Sequence, residues 1–227
     1  MGKKKTSKTY DVMPQTRAAE IKNVGFDLFE VLVQGRWGEG LMKAEVEKCC
    51  GIPAEEYWAW TFVPALDDLW LDTMRGKVTD RQYWEELIVK SGFKTTPKKL
   101  MNCLRTVMKE QVTGMRSLIS RLRTKGYRLF LVSDITPDMK DFVFDQHLWL
   151  SDFEEKYLSC DIGKLKRDVG LFETVLADLE VKPWETLFVD DFYANANRAL
   201  SAGMGVVVFK SVGQLERELE NYGIKVL

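Results

Sequence analysis

Only one histidine, His147, occurs in the 227 residues. No two-histidine metal site can be built from it, and no convincing histidine-based triad surrounds it. Acid–base chemistry must therefore rest on carboxylates or lysines. His147 itself lies in the apolar stretch 142–150 and reads as a packing or surface residue. Cysteine is also sparse. Cys49, Cys50, Cys103 and Cys160 show neither CxxC nor metal-ligand spacing. The adjacent Cys49 and Cys50 read as small residues ending a helix, and a reduced, cytoplasmic setting is expected.

Charge of one sign is missing as well. Lys and Arg total 33 against 34 Asp and Glu, a net charge of -1, so nothing global points to nucleic acid or an anionic membrane. The longest apolar runs, 129–132 and 205–209, are far too short to span a bilayer. Residues 1–5 are basic but no apolar stretch follows, which argues against a secretory signal. Residues 1–20 read as a flexible, solvated arm. The expected partner is a small molecule, with the chain a monomer or homodimer.

What is present is a change of rhythm. Residues 21–26 form a short apolar run ending on Asp27. After Val33 the spacing becomes helical and stays so to about Leu122. Thr79 with Gln82 three residues on fits a capping box, and Thr96 followed by Pro97 marks another helix start. Trp37, Trp58, Trp60, Trp70 and Trp84 concentrate here; packing of helix on helix is the preferred reading, a substrate pocket the alternative.

From Gly114 helices and strands alternate. Residues 115–124 form an amphipathic helix closed by Gly126. Residues 128–132 form a strand ending on Ser133 and Asp134, and Thr136–Pro137 starts a helix. A helix over 169–179 precedes a strand over 186–189 that ends on Asp190 and Asp191. A helix over 194–201, a strand over 205–209 and a helix opened by Ser211 and Gln214 complete the chain. Apolar runs without alternation belong to parallel strands buried on both faces. The fold class is thus α/β, a doubly wound parallel sheet with an inserted α-helical cap. Residues 21–35 and 115–227 form the core and 36–114 the cap.

Three strands end on polar or acidic residues: Asp27, Ser133–Asp134 and Asp190–Asp191. Ligands of open parallel sheets bind beyond the carboxyl ends of the strands, so these side chains should meet in one crevice. The string VGFDLFEVLV resembles motif I of the haloacid dehalogenase superfamily, and LFLVSD resembles its motif II. SCDIGKLKRDVGLFETVLADLEVKPWETLFVDD resembles the stretch from the motif III lysine to the motif IV acids, and DDFYANANRALSAGMGVVVF continues the match.

The resemblance implies a Rossmann-like core and a Mg²⁺-dependent phosphatase acting on a small phosphorylated metabolite. Asp27 would be the nucleophile that forms an aspartyl-phosphate, and Ser133 would hydrogen-bond a phosphoryl oxygen. Lys166 would offset charge between phosphate and Asp27, with Lys164 the alternative if the loop register differs. Asp134 and Asn195 would join Ser133 and Lys166 around the substrate phosphate. Asp27, the backbone carbonyl of Phe29, and Asp191 supported by Asp190 would hold Mg²⁺, which takes oxygen ligands.

Two departures from the family pattern qualify this. Phe29 stands where phosphatases of the family place a second Asp that protonates the leaving oxygen and later activates water. Losing such a group costs about 10²–10⁴ in rate, unless Glu30 replaces it. Arg167 and Gly170 also replace the usual rigid turn beside the lysine. Three readings remain open: a phosphatase suited to good leaving groups, a carbon-attacking enzyme, or a retained fold that binds without turnover. The carbon-attacking reading takes a dehalogenase or phosphonatase form, the latter needing a cap lysine such as Lys43 or Lys48. The intact FVDD disfavours dehalogenation. The segment after motif I, Trp37 included, is expected to line the mouth of the site.

Overall fold

The computed structural model describes residues 20–35, 41–61 and 64–226. Nearly all of the expected N-terminal arm, Trp37 and the side chain of Lys43 lie outside them. Five parallel strands form one sheet in the order β3-β2-β1-β4-β5. They are β1 (Asn23–Phe26), β2 (Arg128–Ser133), β3 (Glu155–Leu158), β4 (Thr186–Asp190) and β5 (Gly205–Val208). All residues of β1 and β4 are buried, as a central pair covered on both faces requires.

Side-chain alternation divides the core in two. Phe130 and Val132 of β2 and Phe188 of β4 face one cluster with Leu171, Phe172, Val175 and Leu176. Leu129, Leu131 and Val189 face the other, with Leu118, Met139 and Leu215. The helices that supply these residues are α6 (Met115–Thr124), α7 (Pro137–Gln146), α9 (Leu171–Asp178) and α11 (Val212–Asn221). The short α8 (Ser159–Ile162) and α10 (Tyr193–Ser201) complete the core. His147 is buried, and its Nε2 donates to the Met108 carbonyl at 3.1 Å. Packing is therefore its place.

Among the described residues, five helices intervene between β1 and α6: α1 (Leu41–Cys50), α2 (Ala54–Thr61), α3 (Pro64–Met74), α4 (Asp80–Ser91) and α5 (Pro97–Val107). Their ends follow the expected chemistry. Thr79 and Gln82 form a reciprocal capping box, and Gly92 closes α4 at φ 72°, where a side chain would be strained. Thr96 caps α5 with Pro97 at its start. The helical stretch reaches Leu122 but is interrupted at residues 108–114, between α5 and α6. Val33 and Gln111 form an isolated antiparallel bridge, which ties the two ends of the insertion together.

Two further differences have local causes. Strand β3 has no counterpart in the sequence reading, because it is an edge strand with only Tyr157 and Leu158 buried. Helix α9 starts at Leu171, two residues later than expected, because Gly170 adopts φ 79° ahead of it.

The insertion is seated on the core by polar contacts. The Asp80 carboxylate accepts from Thr136 Oγ1 and from the Asp138 amide at 3.0 Å. Ser159 Oγ donates to the Met74 carbonyl at 2.7 Å. Arg75 grips Asp168 with Nη2 at 2.9 Å and Nε at 3.4 Å.

Gly25 is the one β1 position where close approach demands glycine, since a Cβ there would overlap the Phe130 ring. Gly25→Ala should therefore destabilise the protein by about 1–3 kcal/mol through overpacking. Chemical denaturation checks this; an unchanged midpoint and slope would contradict it.

Candidate active site

The sheet register brings the sequence-distant acids together. Phe26 is level with Leu131 of β2 and Val189 of β4. The chain therefore leaves β1 at Asp27 while β2 runs on to Ser133 and β4 to Asp190. The Asp27 amide still donates to the Val189 carbonyl at 2.8 Å, and the Leu28 amide donates to Asp27 Oδ1 at 2.6 Å. Beyond it the chain doubles back. The Leu32 and Val33 amides both donate to the Leu28 carbonyl, and Glu30 sits at φ 61°. A non-glycine residue in that region is strained, and buried Leu28, Val31, Leu32 and Val33 hold the turn in place.

Lys166 is the hub. It is 2% exposed, and its Nζ lies 2.6 Å from Asp27 Oδ1 and 2.7 Å from Asp190 Oδ2. Its own amide donates to Asp134 Oδ1 at 2.9 Å, which ties the lysine loop to the end of β2. Arg167 and Gly170 do not leave this loop open. Asp168 accepts from the Leu165 amide at 2.9 Å and returns its own amide to the Leu165 carbonyl. Lys164 points away, to Thr174 Oγ1 at 3.4 Å.

The two motif IV acids differ in surroundings. Asp190 is fully buried, with Oδ1 accepting from the Phe192 amide at 2.8 Å and from Asn195 Nδ2 at 3.3 Å. Asp191 is exposed as a whole residue but lines the cavity floor, where the protein partly shields its carboxyl from water. Asp27, Asp190 and Asp191 each offer a carboxylate oxygen within 4.8 Å of the others. This all-oxygen set fits a hard divalent cation such as Mg²⁺. Ser133 Oγ is buried and has no hydrogen-bond partner among the described residues. An orphaned hydroxyl at a strand end is costly unless a ligand completes it.

The charges do not balance within the protein. One lysine faces Asp27, Asp134, Asp190 and Asp191. Burial pushes the Asp27 carboxyl up to about 8, with Lys166 opposing and Asp190 and Asp191 adding to the rise. Asp191 is pushed up to about 6 by burial and by Asp190. Burial also raises Asp134. Burial acts to lower Lys166, but Asp27, Asp190 and Asp134 outweigh it and hold the ammonium above the usual lysine range.

A cavity of about 380 Å³ opens over these groups, between the strand ends and the inserted helices. Asp27, Asp134, Lys166, Asp191 and Asn195 form its floor. Phe29 and Glu30 are on its wall, and Glu30 Oε1 accepts from the Gly35 amide at 3.1 Å. The opposite wall comes from the insertion: Tyr57, Trp58, Trp70, Tyr83 and Trp84, with Asp67 among them. The sequence reading that favoured helix packing for the tryptophans captured half of their role. Trp84 is a buried core residue and lines the cavity as well.

The excess of carboxylates has a measurable consequence for stability in the presence of a chelator. Between the ordinary value of 3.8 and about 8, the folded protein keeps a proton near Asp27 that the unfolded chain has released. Stability must then fall as pH rises through that window. Asp27→Asn should flatten the fall and melt higher than the wild type at pH 8. A wild-type melting temperature that climbs between pH 5 and 8 in EDTA would refute the sign.

Comparison with known proteins agrees with this geometry. The haloacid dehalogenase-like hydrolase family matches residues 25–209. Flavin mononucleotide hydrolase 1 of Arabidopsis thaliana is 23% identical over 158 residues, covering 70% of this chain and 63% of the plant protein. Glyceraldehyde 3-phosphate phosphatase of Pyrococcus abyssi is 33% identical over 102 residues, 44% of this chain and 42% of that protein. The chain thus spans less than two thirds of either relative. A haloacid-dehalogenase-family enzyme from Bacteroides thetaiotaomicron, solved with magnesium and inorganic phosphate, superposes with a TM-score of 0.70 at 22% identity, covering 85% of this chain and 96% of that one. With the family matched from β1 to the residue after β5, the chain belongs to the haloacid dehalogenase-like hydrolases.

Proposed function

We propose that the protein is a Mg²⁺-dependent phosphohydrolase that cleaves a small phosphate monoester through an aspartyl-phosphate at Asp27. The observation that carries this reading is the cluster at the strand ends, where Lys166 bridges Asp27 and Asp190 beside the orphaned Ser133 hydroxyl. Relatives named as a phosphatase and a nucleotide hydrolase support the reaction class. The helical insertion acts as the cap.

Asp27, a buried carboxylate held at the end of β1, attacks phosphorus in line. Ser133 donates to one phosphoryl oxygen, and Lys166 offsets negative charge between phosphate and carboxylate. Asp27, Asp191 and the Phe29 carbonyl, with Asp190 behind them, would hold Mg²⁺, which lowers the repulsion between a phosphate dianion and the acids. The ester oxygen then departs with its bonding pair. Water attacks phosphorus in the second step, Asp27 leaves as carboxylate, and the water proton passes to solvent.

No acid at position 29 assists the departure. Glu30 is held by the Gly35 amide in the strained turn. Esters with stable leaving oxygens, such as aryl and acyl phosphates, are therefore the expected substrates. Binding without turnover is the second reading, and Phe29 is the observation that favours it.

Phosphate release from p-nitrophenyl phosphate and acetyl phosphate with Mg²⁺ should drop to background in Asp27→Asn and on chelation. Release that is unaffected by the substitution would sink the covalent reading. If the wild type releases nothing, yet beryllium fluoride with Mg²⁺ raises its melting temperature, the site binds without turning over.

Restoring the acid should separate substrates by leaving group. Phe29→Asp is expected to raise the rate on glycerol 2-phosphate by about 10² or more, and to change p-nitrophenyl phosphate little. Equal effects on both esters would show that proton transfer is not what position 29 controls.

A further inference from the structure

The walls of the cavity carry information about the organic part of the substrate. Trp70, Tyr83 and Trp84 form a continuous aromatic face, with ring centroids 4.8 Å apart for Trp70–Tyr83, 4.8 Å for Tyr83–Trp84 and 6.1 Å for Trp70–Trp84. The three rings come from α3 and α4, so two helices of the insertion present one surface to the cavity. Phe29 adds a ring from the core side. At about 380 Å³ the cavity falls in the range of about 300–1,000 Å³ typical of sites for drug-sized molecules.

Charge narrows the choice. Among the described residues lining the cavity, Lys166 is the sole basic one, and it is already shared by Asp27 and Asp190. The upper wall carries Asp67, and the turn carries Glu30. A second phosphate or a carboxylate on the substrate would meet these acids without a cation to pair with. Desolvating it there is unfavourable.

Resting on the phosphohydrolase reading, we propose that the aromatic face selects phosphate esters whose organic group is a flat aromatic ring system without negative charge. Trp70 is its specificity-determining ring, backed by the buried Tyr83 and Trp84, and Asp67 excludes anionic groups.

Phosphonates that cannot be hydrolysed separate this from the catalytic claim. Calorimetry with Mg²⁺ would compare inorganic phosphate, benzylphosphonate, n-butylphosphonate and 3-phosphonopropionate. Benzylphosphonate should bind about tenfold tighter than the butyl compound, the equivalent of a favourable ring contact. 3-Phosphonopropionate should be the weakest of the organic set. Trp70→Ala should bring the benzyl-to-butyl ratio near one, and Asp67→Lys should strengthen 3-phosphonopropionate relative to butylphosphonate. Phosphate binding with equal benzyl and butyl affinities would overturn the aromatic proposal and leave the phosphohydrolase reading standing. A benzyl preference that survives Trp70→Ala would also overturn it. If neither phosphate nor any phosphonate binds with Mg²⁺, the underlying phosphohydrolase reading fails, and the proposal with it.

Discussion

The ammonium of Lys166 is the charge around which the site is built. Its Nζ sits 2.6 Å from Asp27 and 2.7 Å from Asp190 with almost no solvent contact. Burying an ammonium with its acids is expensive, and removing that cation would leave buried acid uncompensated, typically a loss of about 3–5 kcal/mol. Each surrounding feature keeps that lysine where it is. The β1–β4 pairing sets the separation of its two acids, and Asp134 at the end of β2 receives its amide. Asp168 closes the turn on its far side. The bridge is nevertheless incomplete, because Asp134 and Asp191 add negative charge beyond what Lys166 alone balances. A site with this imbalance is poised for a cation and a phosphate together.

The same loop connects catalysis to the insertion. Asp168 holds the Leu165 amide with one carboxylate and receives Arg75, just beyond α3, with the same group. The Arg75 guanidinium pulls the Asp168 carboxyl below its ordinary value, so the link persists at acidic pH. At the start of α4, Asp80 reaches Thr136 and the Asp138 amide at the head of α7. One ion pair and one set of carboxylate hydrogen bonds thus seat α3 and α4 on the core, and these are the helices that supply Trp70, Tyr83 and Trp84. The aromatic face is positioned over Asp27 by contacts to the loops that follow β2 and precede α9. Placement of the organic group and placement of the lysine share one set of hydrogen bonds.

What the sequence made legible follows from how far each signal reaches. Asp27 and the Asp190–Asp191 pair were visible because each directly follows an apolar run, and the ends of parallel strands converge whatever lies between them. Caps at Thr79, Thr96, Thr136 and Ser211 were visible because capping is decided within four residues. The choice between Lys164 and Lys166 was not local. It depended on a turn closed by Asp168 and on a backbone bond to Asp134, 32 positions away in the chain. The edge strand β3 was hidden because only half of it is buried. Trp70 and Trp84 were ambiguous for a physical reason: helical spacing shows that a ring faces inward, but not whether the inward side is packed core or cavity. Here Trp84 meets both.

Phe29 bears on both the acid cluster and the cavity wall. An aspartate at that position would serve proton transfer, and it would also place another carboxylate beside Asp27, Asp190 and Asp191. Phenylalanine offers no proton, but it adds no charge there and places a ring on the cavity wall together with the aromatic residues of the insertion. A substrate that brings its own stable leaving oxygen loses little from the missing acid and gains contact with the ring. An aryl phosphate would have both properties under the proposal above: its oxygen departs without protonation, and its ring would meet the cavity wall that Phe29 and Trp70 line. The residue that looks like a defect when the nucleophile is considered alone is consistent with the rest of the cavity once the leaving group is included.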